Sequence, residues 1–196
     1  MNEQAATIAY PTEADLVQLH AAAVEVAEST ARRRLQHRDG LLAALERPRW
    51  HEHYQEADLV AQASLLAEGL LGCHAWVDGN KRTTWLALRA FLELNRYSWE
   101  KRPQSGSVVT HLTNLTTRAL TAKEFEEWLR HLVYQEGGRT GPATHISSWA
   151  SLGLVDREAA LRQSFARAAI QFANEDGEIL EALAAFDRGE YSPGEP

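Results

Sequence analysis

A chain of 196 residues, with 44% hydrophobic and 24% charged residues, is typical of one medium-sized globular domain or of one domain with a small appendage. The net charge of −7 argues against direct binding of nucleic acid, because such affinity comes largely from lysine and arginine side chains. No apolar run reaches the ~20 residues of a membrane span, the N-terminus lacks a signal-peptide pattern, and one cysteine excludes an internal disulfide framework, so we expect a cytoplasmic protein without membrane contact.

The first predicted helix begins at Thr12. Pro11 precedes it, and Asp15 stands three residues after Thr12 as a capping partner. A short second helix is predicted over residues 38–46. It should end at Pro48, because proline in a helix interior removes a backbone hydrogen bond.

Two helices are predicted at the centre of the molecule, over residues 57–71 and 80–95. Both are apolar around much of their circumference, which is typical of buried helices. The loop that joins them is therefore expected to be held rigidly.

The following segment predicts a short strand at 97–101, a turn at 103–106 and a helix at 108–120. Thr121 and Glu124 form a capping box at the start of one more helix. We expect this helix to complete the first domain, residues 1–136.

A change of composition follows this domain. Glycine, serine and threonine are frequent over residues 137–154, which predicts a linker, and residues 155–196 predict an acidic helical extension with Asp156 as its first cap. Residues 137–196 contain nine acidic residues and five arginines. This extension would fold over the functional site as a lid, pack on the core away from it, or dock on another chain.

Reactive groups are concentrated in residues 74–82, the loop between the two central helices. An imidazole titrates near neutral pH and suits a general base, and a carboxylate is a preferred ligand of Mg²⁺. A glycine permits a tight turn, and the free N–H groups of the next helix attract phosphate. The predicted site residues are the base His74, the metal ligand Asp78, and the phosphate-binding residues Gly79, Asn80, Lys81 and Arg82.

Each of these side chains also has a purely structural interpretation. His74 would be a buried, hydrogen-bonded histidine, Asp78 and Asn80 would cap the following helix, and Lys81 with Arg82 would be surface cations.

The order of residues resembles the signature of the Fic/Doc (Fido) family, His-Pro-Phe-x-Asp/Glu-Gly-Asn-Gly/Lys-Arg. Ala75 stands where proline is usual and Trp76 replaces phenylalanine, where we expect it to pack into the core. All chemically active positions match. Lys81, which stands where adenylyltransferases have glycine, resembles the Doc (death-on-curing) branch. The resemblance covers roughly residues 5–134.

This resemblance implies an all-α, Fido-type helical bundle around a central motif-bearing helix pair, followed by the C-terminal helical extension. It also implies a small β-hairpin flap that holds a target segment, which we place near residues 49–56. The implied cofactors are ATP and Mg²⁺, and His74 would take the proton from a target hydroxyl. Lys81 would fill the space beside the helix start, so that ATP binds in the reversed orientation known for the Doc branch.

The expected function is that of a Doc-like toxin of a toxin–antitoxin system, which transfers the γ-phosphoryl group of ATP to a hydroxyl of a protein, with elongation factor Tu as the implied substrate. A separate antitoxin is expected, because the spacing of the family's inhibitory helix occurs only at residues 64–69, inside the helix that leads to His74. The alternatives are a Fic-type protein adenylyltransferase (AMPylation) and a non-catalytic Fido binding module.

Overall fold

Helices form most of the chain in the computed structural model, which describes residues 8–55, 57–135 and 154–191. The first five helices are α1 (Glu13–Ala23), α2 (Glu28–Arg33), α3 (Arg38–Gln55), α4 (Leu59–Cys73) and α5 (Asn80–Leu94). They are followed by β1 (Tyr97–Trp99), α6 (Ser105–Thr116), α7 (Ala122–Arg130), β2 (Val133–Gln135), α8 (Leu154–Glu175) and α9 (Gly177–Asp187). The predicted all-α bundle is confirmed.

Helices α4 and α5 lie at the centre, as their sequences predict. Helix α4 packs against α3, α5, α6 and α7, and α5 also packs against α1 and α8. Trp85, Phe91 and Leu66 are among the largest side chains that are fully buried. The two central helices therefore hold the loop between them within the bundle.

Local capping signals account for two helix starts. Thr12 and Asp15 form a capping box at α1, and Thr121 and Glu124 form another at α7. In each box the threonine side chain accepts from a backbone N–H three residues on, and the acidic side chain accepts from the threonine N–H. Both predicted starts are confirmed.

The two strands form a small antiparallel sheet in which Tyr97 pairs with Gln135 and Trp99 pairs with Val133. These strands are far apart in sequence and are not a hairpin. The pairing fastens the segment after α7 to the end of α5.

The C-terminal helices pack onto the bundle. Helix α8 lies against α1 and α5, and α9 lies against α6 and α5. Phe165, Phe172 and Leu183 are buried in the same core as α4 and α5. The predicted linker, residues 137–154, lies outside the described residues except for Leu154, which begins α8. The division into domains therefore stays a prediction.

Two local predictions are wrong. Helix α3 continues through Pro48 to Gln55, so Pro48 does not end it, and the flap predicted near residues 49–56 is helix over 49–55. Helices α3 and α4 pack so closely that a Cβ added at Gly69 would lie 3.0 Å from the Ala44 Cβ. Tertiary packing of this kind outweighs the lost hydrogen bond of one proline.

Two further helix starts differ from prediction. Helix α8 begins at Leu154, so Asp156 lies inside it rather than at its cap. Helix α6 begins at Ser105, within the predicted turn. Among the described helices, none is long and apolar enough to cross a membrane.

Candidate active site

His74 stands at the C-terminal end of α4 in a left-handed backbone conformation, with φ 45° and ψ 53°. This conformation is uncommon for residues other than glycine and persists only where surrounding structure enforces it. The His74 side chain is exposed. It is therefore presented to solvent and to any bound substrate, rather than packed as a core histidine.

Contacts from outside the loop enforce this conformation. The Gln36 N–H donates to the Ala75 carbonyl at 2.8 Å, and Leu35 forms an antiparallel bridge with Trp76. The Trp76 indole N–H donates to the Ala31 carbonyl at 3.0 Å, and the ring is 3% exposed, so the predicted core anchor is confirmed.

Asn80 is the first residue of α5, and its side chain binds the loop. Its Oδ1 accepts from the Trp76 N–H at 3.0 Å, and its Nδ2 donates to the Trp76 carbonyl at 2.6 Å. The Asn80 amide is thus occupied within the chain, and its contribution to phosphate binding would come from its backbone N–H.

Gly79 is the N-cap residue of α5 and has φ 74°. A Cβ added here would lie 2.3 Å from the Val24 Cγ1 atom, a distance that requires displacement. Glycine is therefore required by both conformation and space. Because Gly79 has no side chain to cap α5, the first N–H groups of the helix are left for a ligand.

Asp78 and Arg82 form a pair at the first turn of α5, with Arg82 Nη2 2.9 Å from Asp78 Oδ2. The Asp78 side chain is 68% exposed, and its Oδ1 accepts from the Gly79 N–H. In the described part of the chain, the buried Arg82 Nε has no acceptor. The exposed Asp78 carboxylate therefore retains ligand capacity that faces solvent, whereas the Arg82 side chain is 13% exposed and also donates to the Ala23 carbonyl at 3.3 Å.

Lys81 points away from this pair. Its Nζ lies 2.5 Å from Asp187 Oδ1 at the end of α9, and 5.4 Å from the centre of the Phe186 ring. Consecutive residues of a helix do not share a face, which is why Lys81 and Arg82 diverge. The structure thus brings together Asp78, Gly79 and Arg82, and directs Lys81 to the C-terminal helix.

This donor set fits Mg²⁺ bound together with a nucleotide. Among residues 8–55, 57–135 and 154–191, no group of three or more histidine, cysteine or acidic side chains forms a metal cage. Mg²⁺ commonly binds through one or two carboxylates and completes its shell with phosphate oxygens and water. Asp78 offers one such carboxylate, and the first amides of α5 offer the phosphate contacts.

The loop 74–79 and the first turn of α5 form a corner that is open to solvent. His74, Val77 and Asp78 are exposed, and the Val77 side chain is 73% exposed. Described clefts of about 510 and 400 Å³ lie elsewhere, the larger one between α4 and α7. The open geometry leaves His74 accessible to a protein substrate.

Two contributors to this corner were not predicted from the sequence. His20 on α1 is 2% exposed and stacks on Trp76, with ring centres 4.2 Å apart. In the sequence, His20 was recognisable only as a polar residue among the apolar positions of α1. The segment 34–37, which borders Ala75 and Trp76, carries no sequence signal of its own.

Burial, and after it the positive charge of Arg82, lowers the pKa of His20 to about 4. Its imidazole is therefore neutral at neutral pH. The neutral His20 ring therefore adds no charge to the candidate phosphate site.

Comparison with known protein families matches residues 10–92 to the Fic/DOC family. This range contains α1 to most of α5 and the whole of the motif loop. No curated protein and no solved structure matches the chain. The matched range includes the loop in which His74 is exposed and Asp78 pairs with Arg82, and the match supports assignment of residues 10–92 to the Fic/DOC family.

Proposed function

We propose that this chain is a protein-modifying transferase that moves the γ-phosphoryl group of ATP to a hydroxyl of a target protein. One observation carries the proposal: an exposed His74, held in a left-handed conformation, stands four residues before Asp78, which pairs with Arg82 at the open N-terminus of α5. A base, a metal ligand and an anion site therefore occupy nine consecutive positions. Phosphoryl transfer is catalysed mainly by positioning and by charge stabilisation, which are the two properties of this corner.

Each side chain has a distinct role in this proposal. His74 accepts the proton of the target hydroxyl, a contribution of about 10²–10⁴-fold in rate. Asp78 holds Mg²⁺, and Arg82 binds phosphate oxygens with its planar guanidinium group. The first backbone N–H groups of α5 bind the same phosphates. ATP supplies the group transferred, and Mg²⁺ neutralises its charge.

The resemblance to the Doc branch is the support for the proposed partners. We propose elongation factor Tu as the substrate, a separate antitoxin protein as the restraint, and the cytoplasm as the location. The exposed Val77 at the tip of the loop gives a target protein an apolar contact near His74.

Adenylyl transfer is the second candidate, and one observation favours it. The argument for a kinase rests on a Lys81 side chain that fills the space beside the helix start, whereas Lys81 pairs with Asp187. If this pair persists when ATP binds, the space stays open and the nucleotide can present its α-phosphorus.

Labelled ATP distinguishes the two reactions. We would incubate the chain with Mg²⁺, elongation factor Tu and ATP labelled at the γ or the α position, and measure label and mass on the target. We expect label from the γ position and an added mass of about 80 Da, the phosphoryl group. Label from the α position with about 329 Da would establish adenylyl transfer instead.

The matched control is His74→Ala, which removes the base from an exposed position and should leave the fold intact. Transfer by this variant at the wild-type rate would contradict the role of His74 as the base, whereas absence of transfer by the wild-type chain would favour a non-catalytic binding module.

A further inference from the structure

His20 lies next to Trp76 and Gly79 of the motif loop, although it is on α1, 54 or more residues before the motif. Its ring stacks on Trp76 at an interplanar angle of 8°. A Cβ added at Gly79 would lie 3.3 Å from its Cε1 atom. One buried imidazole thus supports both the loop and the turn that begins α5.

Hydrogen bonds extend this support into the helix. His20 Nδ1 lies 2.9 Å from the Thr83 hydroxyl, which donates to the Gly79 carbonyl at 2.8 Å. Because a hydroxyl has one proton, a Thr83 hydroxyl that donates to the Gly79 carbonyl accepts from His20, and the imidazole proton then lies on Nδ1. His20, Thr83 and Gly79 then form a chain of donors that ends on the turn.

The position of His20 has a chemical consequence for the site. A buried polar group is destabilising unless it is hydrogen-bonded, so His20 and Thr83 fix each other's orientation. Gly79 stands between Asp78 and Asn80, and Trp76 stands between His74 and Asp78. Trp76 and Gly79 therefore help to set the position of Asp78 relative to His74.

We propose that His20 is a positioning residue for the transfer reaction, which orients His74 and Asp78 by donating its Nδ1 proton to Thr83 beneath the Gly79 turn. This inference rests on the proposed function. It differs from a packing role, which any ring of similar size would fulfil.

Two variants of His20 separate donation from packing. His20→Phe keeps a ring on Trp76 and loses the donor, whereas His20→Asn loses the ring and keeps an N–H near the position of Nδ1. We expect His20→Phe to lower kcat by about 10²-fold, as loss of catalytic geometry does, with KM for ATP nearly unchanged. We expect His20→Asn to retain activity within a few-fold of wild type.

The opposite ranking, with His20→Phe active and His20→Asn inactive, would overturn the proposal in favour of packing. Thr83→Val and Thr83→Ser provide a second pair from the other side of the hydrogen bond. Valine should reproduce the loss and serine should restore activity, and thermal melting confirms that each variant is folded. Equal activity of the valine and serine variants would also count against the proposal.

The tautomer of His20 is a readout that does not depend on activity. Nitrogen-15 NMR of the histidine-labelled chain should show His20 protonated at Nδ1, and Thr83→Val should change this signal. An Nε2-protonated ring would overturn the inference even if the chain transfers phosphate. Absence of transfer by the wild type, together with an Nδ1-protonated ring, would instead overturn the proposed function and leave the hydrogen-bonded arrangement supported.

Discussion

Helix α5 carries two clusters of arginine and carboxylate groups, seven residues apart, and they differ in exposure. At the first turn, the Asp78 carboxylate is 68% exposed, although its partner Arg82 is only 13% exposed. Two turns later, Arg89 is 9% exposed and pairs with Glu93, Glu175 and Asp176, whose side chains are 27%, 38% and 1% exposed. The clusters therefore differ in the exposure of their carboxylates. Arginine and acidic residues therefore form a solvent-accessible site at the start of α5 and a buried ion network around Arg89.

Several ion pairs hold the buried cluster together. Asp176, whose side chain is 1% exposed, accepts from Trp85 Nε1 at 2.9 Å and pairs with Arg89 and Arg102. Burial alone would lower the pKa of Arg89, but hydrogen bonds with Glu93 and Asp176 raise it, so the guanidinium stays charged. Because Asp176 lies between α8 and α9, this cluster attaches the C-terminal helices to α5.

Such a difference separates a structural ion network from a candidate site. A buried network of several ion pairs fixes tertiary structure, whereas a pair whose carboxylate is exposed is free to bind a ligand. The two clusters should therefore respond differently to the same substitution.

The largest effect is expected at the buried cluster. Asp176→Ala leaves Arg89 and the Trp85 N–H without their acceptor, and should lower the free energy of unfolding by about 3–5 kcal/mol. Asp78→Ala, the matched control, should change it by less than about 1 kcal/mol. Urea unfolding of both variants measures the difference, and equal losses would contradict the comparison.

Lowering the pH should destabilise the fold because the buried His20 resists protonation. Its folded-state pKa of about 4 lies below the unfolded value of 6.5, so between these values only the unfolded chain binds the proton. The free energy of unfolding should therefore fall with pH from 6.5 towards 4, by up to about 3 kcal/mol. Arg82 and Arg34 oppose protonation of His20, and Asp78 favours it.

His20→Phe is the control for this prediction. Urea unfolding of wild type and variant from pH 7 to pH 4 should show a difference that shrinks as the pH falls. A difference that is constant with pH would contradict the assignment to His20.

A glycine comparison tests the rigidity of the corner. Gly79→Ala would bring its Cβ to 2.3 Å from Val24 Cγ1 in a left-handed conformation, and should destabilise the fold by about 1–3 kcal/mol. Gly72→Ala, in α4, meets no atom within 4 Å and should stabilise the fold by about 0.5–1 kcal/mol. Thermal unfolding measures both effects. Equal destabilisation by the two variants would contradict the role of crowding at Gly79.

The smallest effect is expected at the pair of Lys81 and Asp187. Asp187→Asn removes the carboxylate that holds Lys81, and should tighten the binding of Mg·ATP by about 2- to 5-fold, at most about 1 kcal/mol. Glu181→Gln, which also alters a carboxylate on α9 but pairs with Arg188, is the control. Calorimetric titration measures both affinities. Unchanged or weaker binding after Asp187→Asn would indicate that the pair does not compete with phosphate.

Local features of the chain were predictable. The capping boxes at Thr12 and Thr121 depend on residues three positions apart, and the apolar periodicity of α4 and α5 placed both helices within two residues of their observed ends. The motif residues are consecutive, so their common location between two helices also followed from sequence. The different directions of the Lys81 and Arg82 side chains, by contrast, were established only by the structure of α5.

Only the tertiary structure decided the remaining features, and all of them join distant parts of the chain. Helix α3 passes Pro48 because α4 packs closely against it, His20 meets Thr83 from 63 residues away, and Asp187 meets Lys81 from 106 residues away. Side-chain period and capping report only on neighbours within about one turn, because they arise from backbone geometry. The choice of a distant partner depends on which buried faces fit together. The sequence by itself therefore determined the chemistry of the corner, and the packing of the helices decided which groups hold it in place.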